Sequence, residues 1–313
     1  MLNLERLRVL HTIWTTGSVG GAAAALHVTT SAVSQQMARL EREVGQRLVE
    51  RQGRGIRVTE AGAVLARSAA DVLNLVERVE AGLAEHRGVV AGPLAVAAFA
   101  TAARGLLPGV LAELTGRFPD LDVSLSEREP DAAVAALRRG HLDVAVVQDW
   151  SDDVLGVPDG LSRRHLLDDP FDVALPAGHP LAGRSAVAVT DLAGDDWIGW
   201  STGQICHDWL AATLRRHGAQ ARIRHTASEH STQLALVAAG LGAAVIPRLG
   251  RDPVPAGVRL VPIDPQPARR VFALWRDSAA ARPAVAAAVD VLAAHAAAMD
   301  ADRSWAAGHG GTA

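Results

Sequence analysis

Residues 17–62 read GSVGGAAAALHVTTSAVSQQMARLEREVGQRLVERQGRGIRVTEAG, and the rest of the chain is organised around them. The Ala-rich run Val19–Leu26 reads as a short helix that ends at His27-Val28. Thr29 and Thr30 are good N-caps for a second helix over Ser31–Val44, and Gly45 is its stop signal. Two helices joined by so tight a turn make a helix-turn-helix candidate. In the second helix Val33, Met37, Leu40 and Val44 form one apolar stripe, while Ser31, Ser34, Gln35, Ala38, Arg39 and Arg42 point away from it. Hydroxyls at a helix N-terminus suit phosphate, and a Gln amide can hold an adenine edge bidentately. Taken alone, this face equally fits a solvated helix surface.

The following residues decide between those readings. Gln46–Arg51 and Gly55–Val58 read as two short strands around Gln52-Gly53-Arg54, a small wing tipped with arginine, and Thr59 then caps a long helix. Helix, turn, helix, wing and long helix in this order resemble the N-terminal domain of the LysR-type transcriptional regulators. The resemblance rests on Gly17-Ser18, Ala22-Ala23, Leu26, SAVSQQ at 31–36, Leu40-Glu41, Gly45, Leu48, Arg51 and TEAG at 59–62. Val19 and Val49 stand where the family commonly has Phe. Gly20 and Gly21 loosen the first motif helix, at up to about 1 kcal/mol each relative to Ala. The resemblance implies double-stranded DNA as a partner, with Ser34 and Gln35 in the major groove. Ser31, Arg39 and Arg54 would then lie on phosphates or the adjacent minor groove, and Thr29, Thr30 and Arg42 complete the DNA-binding set.

Length and composition bound the remainder. The 313 residues are enough for two or three domains. Hydrophobic residues make up 49%, yet no uninterrupted apolar run of membrane-spanning length is evident, so no membrane partner is expected. The N-terminus MLNLERLRVL lacks a secretory pattern, which predicts a cytoplasmic protein. A single cysteine, Cys206, excludes an intrachain disulfide and a cysteine-cluster metal site; it reads as a buried structural residue. The net charge of −3 hides an asymmetry, since residues 1–90 hold eleven Arg against nine acidic residues and no Lys occurs anywhere. A local basic patch on an otherwise acidic chain suits selective DNA binding rather than non-specific coating.

In chain order, Asn3 caps a first helix whose Leu4, Leu7, Leu10 and Trp14 are expected to pack behind the motif. The helix from Glu60 to about His86 repeats apolar residues every seven positions, at Leu65/Val72/Val79 and Ala69/Val76/Leu83, predicting a dimer seam. Gly88–Gly92 is a hinge. Strands and helices then alternate to Met299, with parallel crossovers and a Pro-rich return segment over 252–267. LLPGVL at 106–111, FPDLDVSL at 118–125, LRRGHLDVAVV at 137–147, HPLA at 179–182, DLAGDDWI at 191–198 and LVAAGLGAAVIPRL at 236–249 resemble the LysR effector domain, related in fold to type 2 periplasmic binding proteins. The expected fold class is α/β: a largely helical winged helix-turn-helix at 1–58, a linker helix at 59–87 and a hinge at 88–92. A two-lobed effector domain follows at 93–300, with lobe I at about 93–148 and 266–300 and lobe II at about 166–265. Residues 301–313 are expected to be a disordered tail. The family resemblance further implies a homotetramer of linker-helix dimers.

In open α/β sheets, ligands sit beyond the carboxyl ends of strands and against helix N-termini. Three loops fit: Phe99–Ala103 with Thr101 and Ala102; Trp200–Gln204 with Ser201 and Thr202; and Ala227–Thr232 with Glu229 and His230. Gln148 completes the candidate ligand set, standing where some acid-sensing relatives carry Arg. Thr101 and Ser201 equally fit plain N-caps, and Glu229 and His230 fit a pair with each other. No catalytic residue, cofactor or metal is predicted: neither a G-x-S-x-G elbow, a P-loop nor a G-x-G-x-x-G after a strand is present. The leading reading is a DNA-binding regulator modulated by a small-molecule effector. A cytoplasmic solute-binding protein or an α/β enzyme without a recognisable motif are the alternatives.

Overall fold

The computed structural model describes all residues except 1, 53–54, 151–154, 202–204, 217, 219–221, 252 and 309–313. Asn3 accepts a hydrogen bond from the Arg6 amide and starts α1 (Leu4–Thr16); Ser18 caps α2 (Val19–Ala25) and Thr29 caps α3 (Thr30–Val44). Leu7, Leu10 and Ile13 of α1 meet Ala22, Ala23, Val33, Met37 and Leu40 in one core. Leu4 and Trp14, expected in that core, are exposed. The buried stripe of α1 runs through Ile13 instead, which shares a face with Leu10.

The wing strands β1 (Val49–Gln52) and β2 (Gly55–Val58) pair antiparallel, with Val49 opposite Val58. Glu41 of α3 anchors this wing, because Oε1 accepts from the amides of Leu48 at 2.8 Å and Val49 at 3.1 Å. Helix α4 (Glu60–Arg87) begins as expected, with the Thr59 hydroxyl accepting from the Gly62 amide at 3.0 Å. Gly62 is required there: a Cβ would stand 2.1 Å from the Leu48 carbonyl oxygen. Leu65 and Ala69 of the predicted seam pack into the winged-domain core. The exposed apolar stripe of α4 is therefore Val72, Leu75, Val79 and Leu83.

The second part is built on a seven-stranded sheet. In lobe I, β3 (Gly92–Ala98) runs parallel to both β4 (Leu121–Glu127) and β5 (Val144–Trp150). Its helices are α5 (Ala100–Gly105), α6 (Leu107–Arg117) and α7 (Pro130–Arg138). The loop expected over 99–103 is largely α5. The long β6 (Leu161–Pro176) then serves both lobes. Its first half pairs with β11 (Ala268–Arg276), and its second half pairs with β9 (Ala244–Pro247) and β10 (Val258–Pro262). The chain thus crosses between lobes within β6 near Pro170. Lobe II adds the parallel pair β7 (Asp196–Gly199) and β8 (Arg222–Thr226), with α8 (Ile205–Arg216) and α9 (His230–Ala238).

The last helix, α10 (Pro283–Gly308), extends beyond the expected end at Met299 and through most of the tail predicted to be disordered. By length and composition, Pro283–Ala301 is apolar enough to span a membrane, contrary to the reading of the sequence. Its composition has another cause: Ala284, Val285, Ala288, Val289, Leu292 and Ala296 are buried in the lobe I core.

Candidate functional site

The outward face of α3 is as the sequence predicts. Thr29, Thr30, Ser31, Ser34, Gln35, Arg39 and Arg42 are all exposed, whereas Val33, Met37 and Leu40 are buried. Ser34 donates its hydroxyl hydrogen to the Thr30 carbonyl at 2.9 Å, which leaves its oxygen as an acceptor. Arg42 lies along its own helix, donating to Ala38 O at 3.2 Å. Among the described residues, Ser31, Gln35 and Arg39 make no side-chain hydrogen bond, so their polar groups face solvent. Gln36 and Glu43 are instead held by Arg6 of α1, which fixes how α3 sits on the domain. Arg54 at the wing tip lies outside the described residues.

Between the two lobes the ligand candidates converge on a residue that sequence reasoning missed. Arg269 of β11 is opposite Asp169 of β6 in register, and both are almost fully buried. Its guanidinium donates to Asp169 Oδ2 through Nε at 2.9 Å and lies 2.8 Å from the same oxygen through Nη2. It also donates to Gln148 Oε1 and, at 2.5 Å, to Thr101 Oγ1. Phe99 and Phe171 cover it, with ring centroids 4.8 and 5.2 Å from Cζ. Asp169 further accepts from the Leu249 amide at 2.8 Å, tying the junction to the loop that contacts α5. That contact requires Gly250: its φ is +64°, and a Cβ would stand 2.4 Å from Thr101 O. Ala102 places its methyl in the lobe I core, so its backbone is what remains for a ligand.

On the lobe II side, His230 is the first residue of α9 and is buried, with Nε2 lacking a hydrogen-bond partner. Burial, and then the positive charges of Arg269 and Arg104, push its pKa down to about 3, so the imidazole is neutral near pH 7. The Trp200 ring packs edge-on against it at 5.6 Å. Glu229 does not pair with His230; it is exposed and accepts from Ser231 Oγ at 3.2 Å. Ser201 is exposed beside Trp200, while Thr202 and the side chain of Cys206 lie outside the described residues. Glu129, the N-cap residue of α7, has its carboxyl raised by desolvation and by Glu127, with Arg269 opposing. The junction therefore combines a balanced buried cation, a neutral imidazole and amide and hydroxyl groups. It can hold a small polar molecule by hydrogen bonds and offers no nucleophile–base pair among the described residues.

Comparison with known proteins identifies both domains. Residues 4–63 match the bacterial regulatory helix-turn-helix protein of the lysR family, and residues 87–297 match the LysR substrate binding domain. The chain belongs to the LysR family of DNA-binding transcriptional regulators. Its relatives include the probable HTH-type transcriptional regulator LrrA of Synechococcus elongatus, 31% identical over 93% of this chain and 96% of that protein. Another is the DNA-binding transcriptional dual regulator OxyR of Escherichia coli K12, 31% identical over 82% of this chain and 83% of its own. Full-length OxyR from Pseudomonas aeruginosa shares the fold, with a TM-score of 0.68, 24% identity and coverage of 94% and 98%.

Members of the LysR family bind DNA and small-molecule effectors and form oligomers. The signal for Arg269 is faint in the sequence. Arginine in an otherwise apolar strand segment, ARRVFALW, implies a buried partner, but the partner lies in a different strand a hundred residues earlier.

Proposed function

We propose that this regulator reads DNA with Ser34 and Gln35 in the major groove. Thr29, Thr30, Ser31, Arg39, Arg42 and Arg54 contact the backbone or the adjacent minor groove. Its effector binds between the lobes against Thr101, the Ala102 backbone, Gln148, Ser201, Thr202, Glu229 and His230. Dimerisation runs through Val72, Leu75, Val79 and Leu83 of α4, and effector domains pair separately to give a tetramer acting in the cytoplasm. The observation that carries this reading is the outward polar face of α3, with its Gln35 amide unengaged and Val33, Met37 and Leu40 buried beneath it. Several relatives are named hydrogen peroxide-inducible genes activators. With one cysteine, this protein has no intrachain disulfide through which to sense peroxide.

Fluorescence anisotropy with the protein's own upstream DNA and scrambled competitor tests the DNA-reading half. Gln35→Ala should lose about 1–3 kcal/mol of discrimination. Arg39→Ala should weaken both DNAs alike and lower the salt slope by about one unit. Unchanged selectivity in Gln35→Ala places the reading face elsewhere. For the effector half, a metabolite that alters the anisotropy should lose that effect in Thr101→Val, which removes the hydroxyl at nearly constant volume. Full retention would move sensing away from this junction.

A further inference from the structure

The α8 side of lobe II holds a cavity of about 230 Å³ that none of Thr101, Gln148, Ser201, Glu229 or His230 lines. Alternation along β6 locates it. Phe171, Val173 and Leu175 pack with Trp150 and Trp209, whereas Ala174 packs with the α9 residues Leu234 and Val237. The cavity and α9 are therefore on opposite faces of the lobe II sheet. Trp150 and Trp209 line it as a stacked pair, with centroids 4.2 Å apart and planes within 12°. Pro265 of the return segment adds apolar surface, and Thr213, Arg216 and Asp264 add a hydroxyl, a guanidinium and a carboxylate. Trp150 Nε1 is buried there without a hydrogen-bond partner.

We propose that this cavity is a second ligand site, selective for a single-ring aromatic carboxylate that also bears an amine or hydroxyl. An apolar cavity of about 150 Å³ holds benzene, so this one has room for a ring and two substituents. Trp209, stacked on the buried Trp150, and Pro265 give the ring an apolar wall. Arg216 takes the carboxylate by charge-assisted hydrogen bonds, and Asp264 accepts from the amine or hydroxyl. Opposite charges lining one small space favour a ligand that answers both over a simple hydrocarbon. The site stands independently of the interlobe effector reading, since it shares no residue with that set.

The test titrates 4-aminobenzoate into the full-length protein, followed by tryptophan fluorescence and calorimetry. Saturable one-to-one binding is expected, with benzoate weaker by about tenfold because it leaves Asp264 unanswered, and cyclohexanecarboxylate weaker still. Arg216→Gln should weaken 4-aminobenzoate by about tenfold or more. Asp264→Asn should remove the preference over benzoate; both changes are at exposed positions. Thr101→Val and Ser201→Ala should bind 4-aminobenzoate unchanged. The proposal is overturned by absence of saturable binding through millimolar concentrations. Binding that survives Arg216→Gln but is lost in Thr101→Val overturns it equally.

Discussion

Replacing Arg269 by Met separates the interlobe junction from its charge balance. Arg269 and Asp169 expose 2% and 0% of their side chains, so neither is appreciably screened by solvent. Removing the guanidinium leaves Asp169 buried with the Leu249 amide as its remaining hydrogen-bond donor among the contacts described above. Breaking a buried pair from one side costs about 3–5 kcal/mol, a large share of a domain's stability of about 5–15 kcal/mol. Adding Asp169→Asn removes the stranded charge while the amide oxygen can still accept from Leu249. The double variant should then recover most of the loss, ending about 1–2 kcal/mol below the parent for the hydrogen bonds no longer made to Thr101 and Gln148. Urea unfolding read by tryptophan emission measures this well, because Trp150, Trp197, Trp200, Trp209 and Trp275 all lie in the two lobes. A loss under about 1 kcal/mol in the single variant, or a double variant no more stable than the single, would refute the charge-balance argument.

Val72→Asp with Val79→Asp puts two charges into the exposed stripe of α4; sedimentation at micromolar concentration should show the linker-helix dimer lost, and an unchanged assembly would remove α4 from the interface. His230 stays neutral in the folded protein down to about pH 3, while in the unfolded chain it takes a proton below about 6.5. The unfolded state then binds more protons, so stability falls by up to about 1.4 kcal/mol per pH unit as pH drops through that window. His230→Gln should flatten this limb in urea midpoints measured from pH 7 to pH 4, and an unaltered limb would assign the acid sensitivity to other groups. Glu41→Ala leaves the Leu48 and Val49 amides without their carboxylate partner, at about 1–3 kcal/mol, and thermal melts should register it.

Much of the molecule is legible in its amino-acid sequence. The α3 stripe, its Thr29 cap, the Thr59 cap and the wing depend on local periodicity and on side chains that bond their own backbone a few residues away. Such signals are complete within one short window of sequence. The resemblance to the LysR family extends that reading over nearly the whole chain, and the family match upholds it. The first half of β6 escapes a sequence reading because Arg163, Arg164, His165 and Asp168 make it look like a loop; only its pairing with β11 makes it a strand. Strand β10 is hidden by flanking prolines, which the edge of a sheet tolerates. The seam on α4 is misplaced for a related reason: Leu65 and Ala69 repeat like dimer residues, yet the winged-domain core claims them first. Thr101 and Gln148 can be chosen as ligand candidates from loop position, but not the arginine that joins them. Arg269 meets Asp169, Gln148 and Thr101 across separations of 100, 121 and 168 residues. Periodicity determines which face of an element is buried. Which distant element covers that face, and which buried charges must therefore be paired, is decided only when the strands are laid side by side.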